Sequence, residues 1–194
     1  MTTANKVTIL RILLIPFFVV EVLYYVKEGY EMHRILAMLC FAVAAILDGV
    51  DGYIARRDNQ RSELGAILDP LADKLLLVSA VVLLSYDHEP FLDTIPLWLT
   101  GIIMGRDVLM VIGLVVIQVV VGRVTVRPRM VGKVATVLQM VVVLWVLLKW
   151  HEPTVFVLIL GAAIFTAVSG LFYVWDGVRQ LSAHPASSPA VKQN

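Results

Sequence analysis

Four aspartates, Asp48, Asp51, Asp69 and Asp73, lie in one stretch of a 194-residue chain, DGVDGYIARRDNQRSELGAILDPLAD, with apolar runs on both sides. Asp48 and Asp51 are three residues apart, about 60° on a helix; Asp69 and Asp73 are four apart, about 40°. Each pair shares a helix face. A short polar link makes the two helices antiparallel, so the pairs meet at similar depth. An ionised side chain at mid-bilayer costs ~2.5–3.5 kcal/mol on insertion scales, and converging carboxylates repel one another as well. Hard divalent cations relieve that repulsion, and an all-oxygen donor set suits Mg²⁺, Mn²⁺ or Ca²⁺. Two such ions ~3.5–4 Å apart form a clamp for phosphoryl transfer. Gly49, Gly52 and Gly65 let a helix or a ligand approach closely. Arg56, five residues after Asp51, suits a phosphate beside the metals. The plainer alternative is that these glycines only pack helices.

The elements that must position these groups read as membrane helices. Hydrophobic residues make up 59% of the chain, against ~45–50% in soluble domains, and mean hydropathy is +0.85. Six apolar spans fall at about 7–26, 34–56, 66–85, 95–121, 130–149 and 153–178, each able to supply the ~17–25 residues of a crossing. The expected fold is all-α, a polytopic membrane protein with six transmembrane helices. It forms one domain over residues 1–180, followed by a disordered Ser/Pro/Ala-rich tail over 181–194. Pro16 and Pro70 are expected to bend their spans. Arg11 interrupts the first apolar run and no small-residue cleavage site follows it, so this run reads as the first membrane helix rather than a signal peptide. A net charge of +1 implies no polyanionic partner and so no nucleic acid. The lone Cys40 offers no intrachain disulfide.

Lys6, Arg56, Arg57, Arg61, Arg123, Arg127, Arg129, Arg179 and Lys192 fall on one side of these spans, against Lys27, Arg34 and Lys149 on the other. The positive-inside rule puts both termini and the aspartates on the cytoplasmic side. Lys27, Glu28, Glu31, Asp87, Glu89 and Glu152 read as solvated or paired charges at the interfaces.

With every spacing kept, Asp48, Asp51, Gly52, Ala55, Arg56, Gly65, Asp69 and Asp73 form D-x2-D-G-x2-A-R-x8-G-x3-D-x3-D. This resembles the signature of the CDP-alcohol phosphatidyltransferases, and the likeness extends over about residues 5–178. The resemblance implies a six-helix membrane fold, usually a homodimer, with its active site open to the cytoplasm. It implies that Asp48, Asp51, Asp69 and Asp73 hold divalent metal, two ions of Mg²⁺ or Mn²⁺, and that Asp73 is also the catalytic general base. Gly52, Ala55, Arg56 and Gly65 then line the CDP site. The implied reaction is attack of an alcohol hydroxyl on the lipid-linked phosphorus of CDP-diacylglycerol, with CMP leaving.

The acceptor is read from further likenesses. Asn5, Thr8, Arg11 and Pro16 form N-x2-T-x2-R-x4-P, and Gly132, Lys133, Thr136 and Gln139 form G-K-x2-T-x2-Q. Both resemble phosphatidylglycerophosphate synthases and mitochondrial-type cardiolipin synthases, whose acceptors carry a phosphate. Arg106 and Lys133, embedded in apolar sequence, offer an anion site together with Arg123, Arg127 and Arg129. Positive-inside topology alone also accounts for those three loop arginines. The glycerophosphate branch usually reads Arg-Glu where this chain has Arg106-Asp107, a second Arg where it has Leu114, and Lys where it has Ala135. Glycerol 3-phosphate is ranked ahead of phosphatidylglycerol, on a chain length typical of bacterial members of the inner membrane.

Membrane carboxylates also build cation transporters, but no inverted repeat is visible. A catalytically dead scaffold is the third reading. Trp98, Trp145, Trp150, Trp175, Tyr24, Tyr25 and Tyr173 are expected in interfacial belts. Gly161, Ala162, Ala163 and Gly170 suit close helix packing, with a dimer interface as one use. His33, His88, His151 and His184 show no metal-ligand spacing.

Overall fold

A computed structural model describes residues 3–58, 74–121, 130–150 and 154–182, with side chains over 8–47, 74–113, 115–116, 130–150 and 155–179. Among these residues the chain is all helical. The helices are α1 (Thr3–Glu28), α2 (Glu31–Asp58), α3 (Lys74–Leu83), α4 (Leu97–Val121), α5 (Met130–Leu147) and α6 (Thr154–Ser182). They follow the apolar spans read from the sequence. The expected tail and the first part of the third span lie outside the described residues.

Burial follows helical spacing. In α1 the buried face is Thr8, Arg11, Phe18, Val22 and Tyr25; in α2 it is Ala37, Phe41 and Ala44. The two helices join through Gly29 and Tyr30 and pack along each other, with the Phe18 and Phe41 rings 5.6 Å apart. Gly29 sits at φ 74°, and a Cβ there would lie 3.0 Å from the Phe91 ring, so this turn accepts only glycine without strain. Pro16 falls inside α1, and the helix runs on through it to Glu28.

Opposite these faces, Leu13, Phe17, Leu23, Val111, Ile112, Leu171 and Trp175 stand exposed. Such a surface suits a lipid solvent. The segments Thr8–Glu28, Met130–Leu147 and Val155–Arg179 are each long and apolar enough to cross a membrane.

α6 packs on both α4 and α5. Its inward positions are Ile159, Ala162, Ala163, Thr166, Ser169 and Gly170, mostly small residues that bring helix backbones close. The expected close packing is present, but Ala162, Ala163 and Gly170 are buried within this chain rather than offered to a second copy. Gly161 faces open space. The aromatic belt also divides. Trp98, Trp150 and Trp175 are exposed, whereas Tyr25 is a core residue, because its ring packs edge-on against Phe91 and its hydroxyl donates to Glu31.

Candidate active site

Helix directions put the polar groups at one end. The Arg34 Nη1 donates to the Leu147 carbonyl at 2.7 Å, so the start of α2 meets the end of α5 and the two run antiparallel. From Arg34 to Asp48 is roughly 21 Å of helix, and from Leu147 back to Gly132 roughly 22 Å. The Asp48 and Gly132 backbones are therefore at similar depth. The α1–α2 turn brings Arg11 to the same level, eighteen residues before Gly29 as Asp48 is eighteen after Tyr30. Arg11 is fully buried there.

α2 continues unbroken through Asp48 and Asp51 to Asp58. Asp48, Asp51, Gly52 and Ala55 thus recur at i, i+3, i+4 and i+7 and share one helical face, with Arg56 at its edge. The Asp69, Asp73, Gly65, Arg123, Arg127 and Arg129 assignments lie outside the described residues, as do the side chains on α2 from Asp48 onward.

At this same end Arg106 of α4 is the centre of a buried cluster. Its Nη1 donates to Asp107 Oδ1 at 2.9 Å and its Nη2 to Ser169 Oγ of α6 at 3.3 Å. Its guanidinium lies 5.6 Å from the Tyr173 ring centre, a cation–π distance. Lys74 of α3 donates to the same Asp107 Oδ1 at 2.6 Å. Two cations on one carboxylate leave these three side chains with an excess positive charge, and the Arg106 side chain is only 5% exposed. Arg106 Nε and Asp107 Oδ2 are buried with no hydrogen-bond partner among the described residues.

Gly132 explains why the cluster closes. A Cβ there would meet Arg106 Nη2 at 3.2 Å, Ser169 Oγ at 3.2 Å and the Tyr173 hydroxyl at 3.4 Å. Arg106 thus packs on the residue before Lys133, which is itself exposed. The rest of G-K-x2-T-x2-Q ties helices together. Thr136 donates back to the Gly132 carbonyl, and Gln139 Nε2 donates to Thr166 Oγ1 at 2.7 Å across α5 and α6.

Residues 1–173 match the CDP-alcohol phosphatidyltransferase family model. The chain belongs to this family. Curated relatives from Salmonella typhimurium, Shigella flexneri and Escherichia coli are each 34% identical over 176 residues, covering 91% of both chains, and each is named CDP-diacylglycerol–glycerol-3-phosphate 3-phosphatidyltransferase. As a phosphatidyltransferase of phospholipid synthesis the chain is a membrane enzyme, and the transporter reading falls away.

Sequence reasoning gave Asp107, Ser169 and Tyr173 no role in this cluster. Asp107 was visible as a charge in an apolar run. Ser169 and Tyr173 were not, because small hydroxyl residues and interfacial tyrosines are common in any membrane helix.

Proposed function

We propose that this chain moves the phosphatidyl group of CDP-diacylglycerol onto glycerol 3-phosphate, releasing CMP, at the cytoplasmic face of a bacterial inner membrane. The observation that carries this reading is 34% identity across 91% of both chains with relatives named for that reaction. All six helices cross the membrane in this reading, both termini are cytoplasmic, and the chain works as a homodimer.

Asp48 and Asp51 share one face of an unbroken helix. With Asp69 and Asp73 they make an all-carboxylate set that fits two Mg²⁺ or Mn²⁺ ions. Bound there, such ions would neutralise the diphosphate of the donor lipid. Gly52, Ala55 and Gly65 leave room for CDP against the backbone, and Arg56 donates to its diphosphate. Asp73 takes the proton of the acceptor hydroxyl. The acceptor oxygen bonds to the phosphorus that carries diacylglycerol, and the bond from that phosphorus to the CMP oxygen breaks. Lys133 and Arg106, with Arg123, Arg127 and Arg129, supply cations to the acceptor phosphate.

A second reading has phosphatidylglycerol as the acceptor. It is favoured by Ala135, which is fully buried where the glycerophosphate branch usually carries Lys. A phosphodiester needs fewer cations than a phosphomonoester dianion. The test is CMP release by the purified protein in detergent with CDP-diacylglycerol and Mg²⁺ or Mn²⁺, each acceptor supplied separately and the lipid product weighed. Turnover with glycerol 3-phosphate alone is the expected result. Turnover with phosphatidylglycerol alone makes the second reading the correct one.

A further inference from the structure

Asp107 takes no part in the bond changes of the transfer, yet two cations from two helices converge on it. We propose that Asp107 is a positioning residue for this reaction: it anchors Lys74, and with it the chain directly after Asp73, against Arg106. The inference rests on the phosphatidyl-transfer reading.

Asp107 Oδ1 accepts from Lys74 Nζ at 2.6 Å and from Arg106 Nη1 at 2.9 Å. The Asp107 side chain is 13% exposed, so water screens these attractions little. Among the described residues its Oδ2 makes no hydrogen bond, and the carboxylate is engaged there through Oδ1, by these two cations. Lys74 is the covalent neighbour of Asp73. Tethering its side chain to α4 fixes where α3 stands relative to Arg106 and the α5 and α6 residues packed on it. A misplacement of about 1 Å at a reacting group costs on the order of 10²-fold in rate. The tether also removes a competitor. A lysine released from Asp107 is an ammonium one residue from Asp73 and free to compete with a metal ion for its carboxylate.

The test compares saturation curves for CMP release by the full chain and by Asp107→Asn, Lys74→Gln, the double variant and Asp107→Glu, with thermal unfolding of each. Each of the first two lowers kcat by roughly 10- to 100-fold while KM for both substrates changes less than about threefold. The double variant is no slower than the worse single one, because both singles already remove the Lys74–Asp107 contact. Asp107→Glu keeps the carboxylate and recovers most of kcat. An unchanged kcat in Lys74→Gln, multiplied losses in the double variant, or a loss confined to KM overturns the proposal. If Asp107→Asn fails to fold, Lys74→Gln decides alone, since that side chain is 27% exposed. A wild-type protein silent with every acceptor removes the transfer reading and this inference together. An active wild type with unaffected variants removes only the inference.

Discussion

Two polar clusters tie the helices together, one at each end, and they are built on opposite terms. At one end, the outer one in the proposed topology, Glu31 accepts from Arg34 at 2.6 Å, from Lys149 at 3.2 Å and from the Tyr25 hydroxyl at 3.2 Å. His33 lies between Glu21 at 2.7 Å and Glu28 at 3.7 Å. Basic and acidic groups alternate there, and Glu31 at the centre has its side chain 54% exposed. At the inner end Lys74, Asp107 and Arg106 carry an excess of positive charge, and buried polar atoms of Arg106 and Asp107 have no partner among the described residues. An unpartnered buried polar atom costs about 1–3 kcal/mol. The outer cluster is a fastening that water helps to hold. The inner one keeps a local cost that folding alone does not require, which is how functional sites differ from structural ones.

The largest effect that would sharpen this contrast is on chemistry with the fold intact. Asp73→Asn is expected to lower kcat by roughly 10²–10⁴-fold without moving the unfolding temperature. A scaffold protein would show no change in any lipid product. Next, Arg106→Ala strips the inner cluster of its centre and leaves Asp107 buried with Lys74 alone. Breaking a buried pair this way costs about 3–5 kcal/mol, so both thermal stability in detergent and CMP release should fall.

A smaller test uses two glycines that touch the same arginine. Gly132→Ala forces Arg106, Ser169 and Tyr173 to give way, an overpacking change of about 1–3 kcal/mol, and turnover should fall with it. Gly170→Ala meets only the Arg106 Cγ and Cβ, at 3.5 and 3.6 Å, and should fold and turn over nearly as before. If both variants behave alike, Gly132 is not the close-packed seat of the guanidinium.

The smallest effect belongs to the outer end. Arg34, then Lys149, hold the Glu31 carboxyl below its usual range. A depressed carboxylate contributes stability that is complete above its ordinary pKa. That contribution is lost as pH falls from about 4.3 through the depressed value. Unfolding temperature should therefore drop on acidification through that window, and less so in Glu31→Gln. CMP release at neutral pH should be unaffected by that variant.

The helices were legible in the sequence because lipid-facing apolar runs of fixed length carry their own boundaries. All six appear among the described residues close to where hydropathy put them. The signature aspartates stand out in the sequence because carboxylates are costly in an apolar chain and these recur at helical spacing. Asp48 and Asp51 do fall on one unbroken helix at the level of Gly132. The pairing around Asp107 was not legible. Lys74 and Asp107 are 33 residues apart, and Arg106 and Ser169 are 63 apart. No periodicity within one helix says which face of another it will meet. Tyr25 was misread for the same reason: an interfacial tyrosine and a core tyrosine look alike until Phe91 and Glu31 are seen beside it.

The Arg106–Asp107 contact joins neighbours in sequence, so it needs no other helix to form. A polypeptide entering the bilayer during synthesis meets the lipid one segment at a time. A lone arginine deep in an inserting segment costs ~2.5–3.5 kcal/mol. In the proposed six-span topology the carboxylate one residue away lets α4 carry its own counter-ion at the moment of insertion, before Ser169 has been translated. Moving the acid elsewhere along the chain would give the same final charge but a helix that the insertion machinery handles less well.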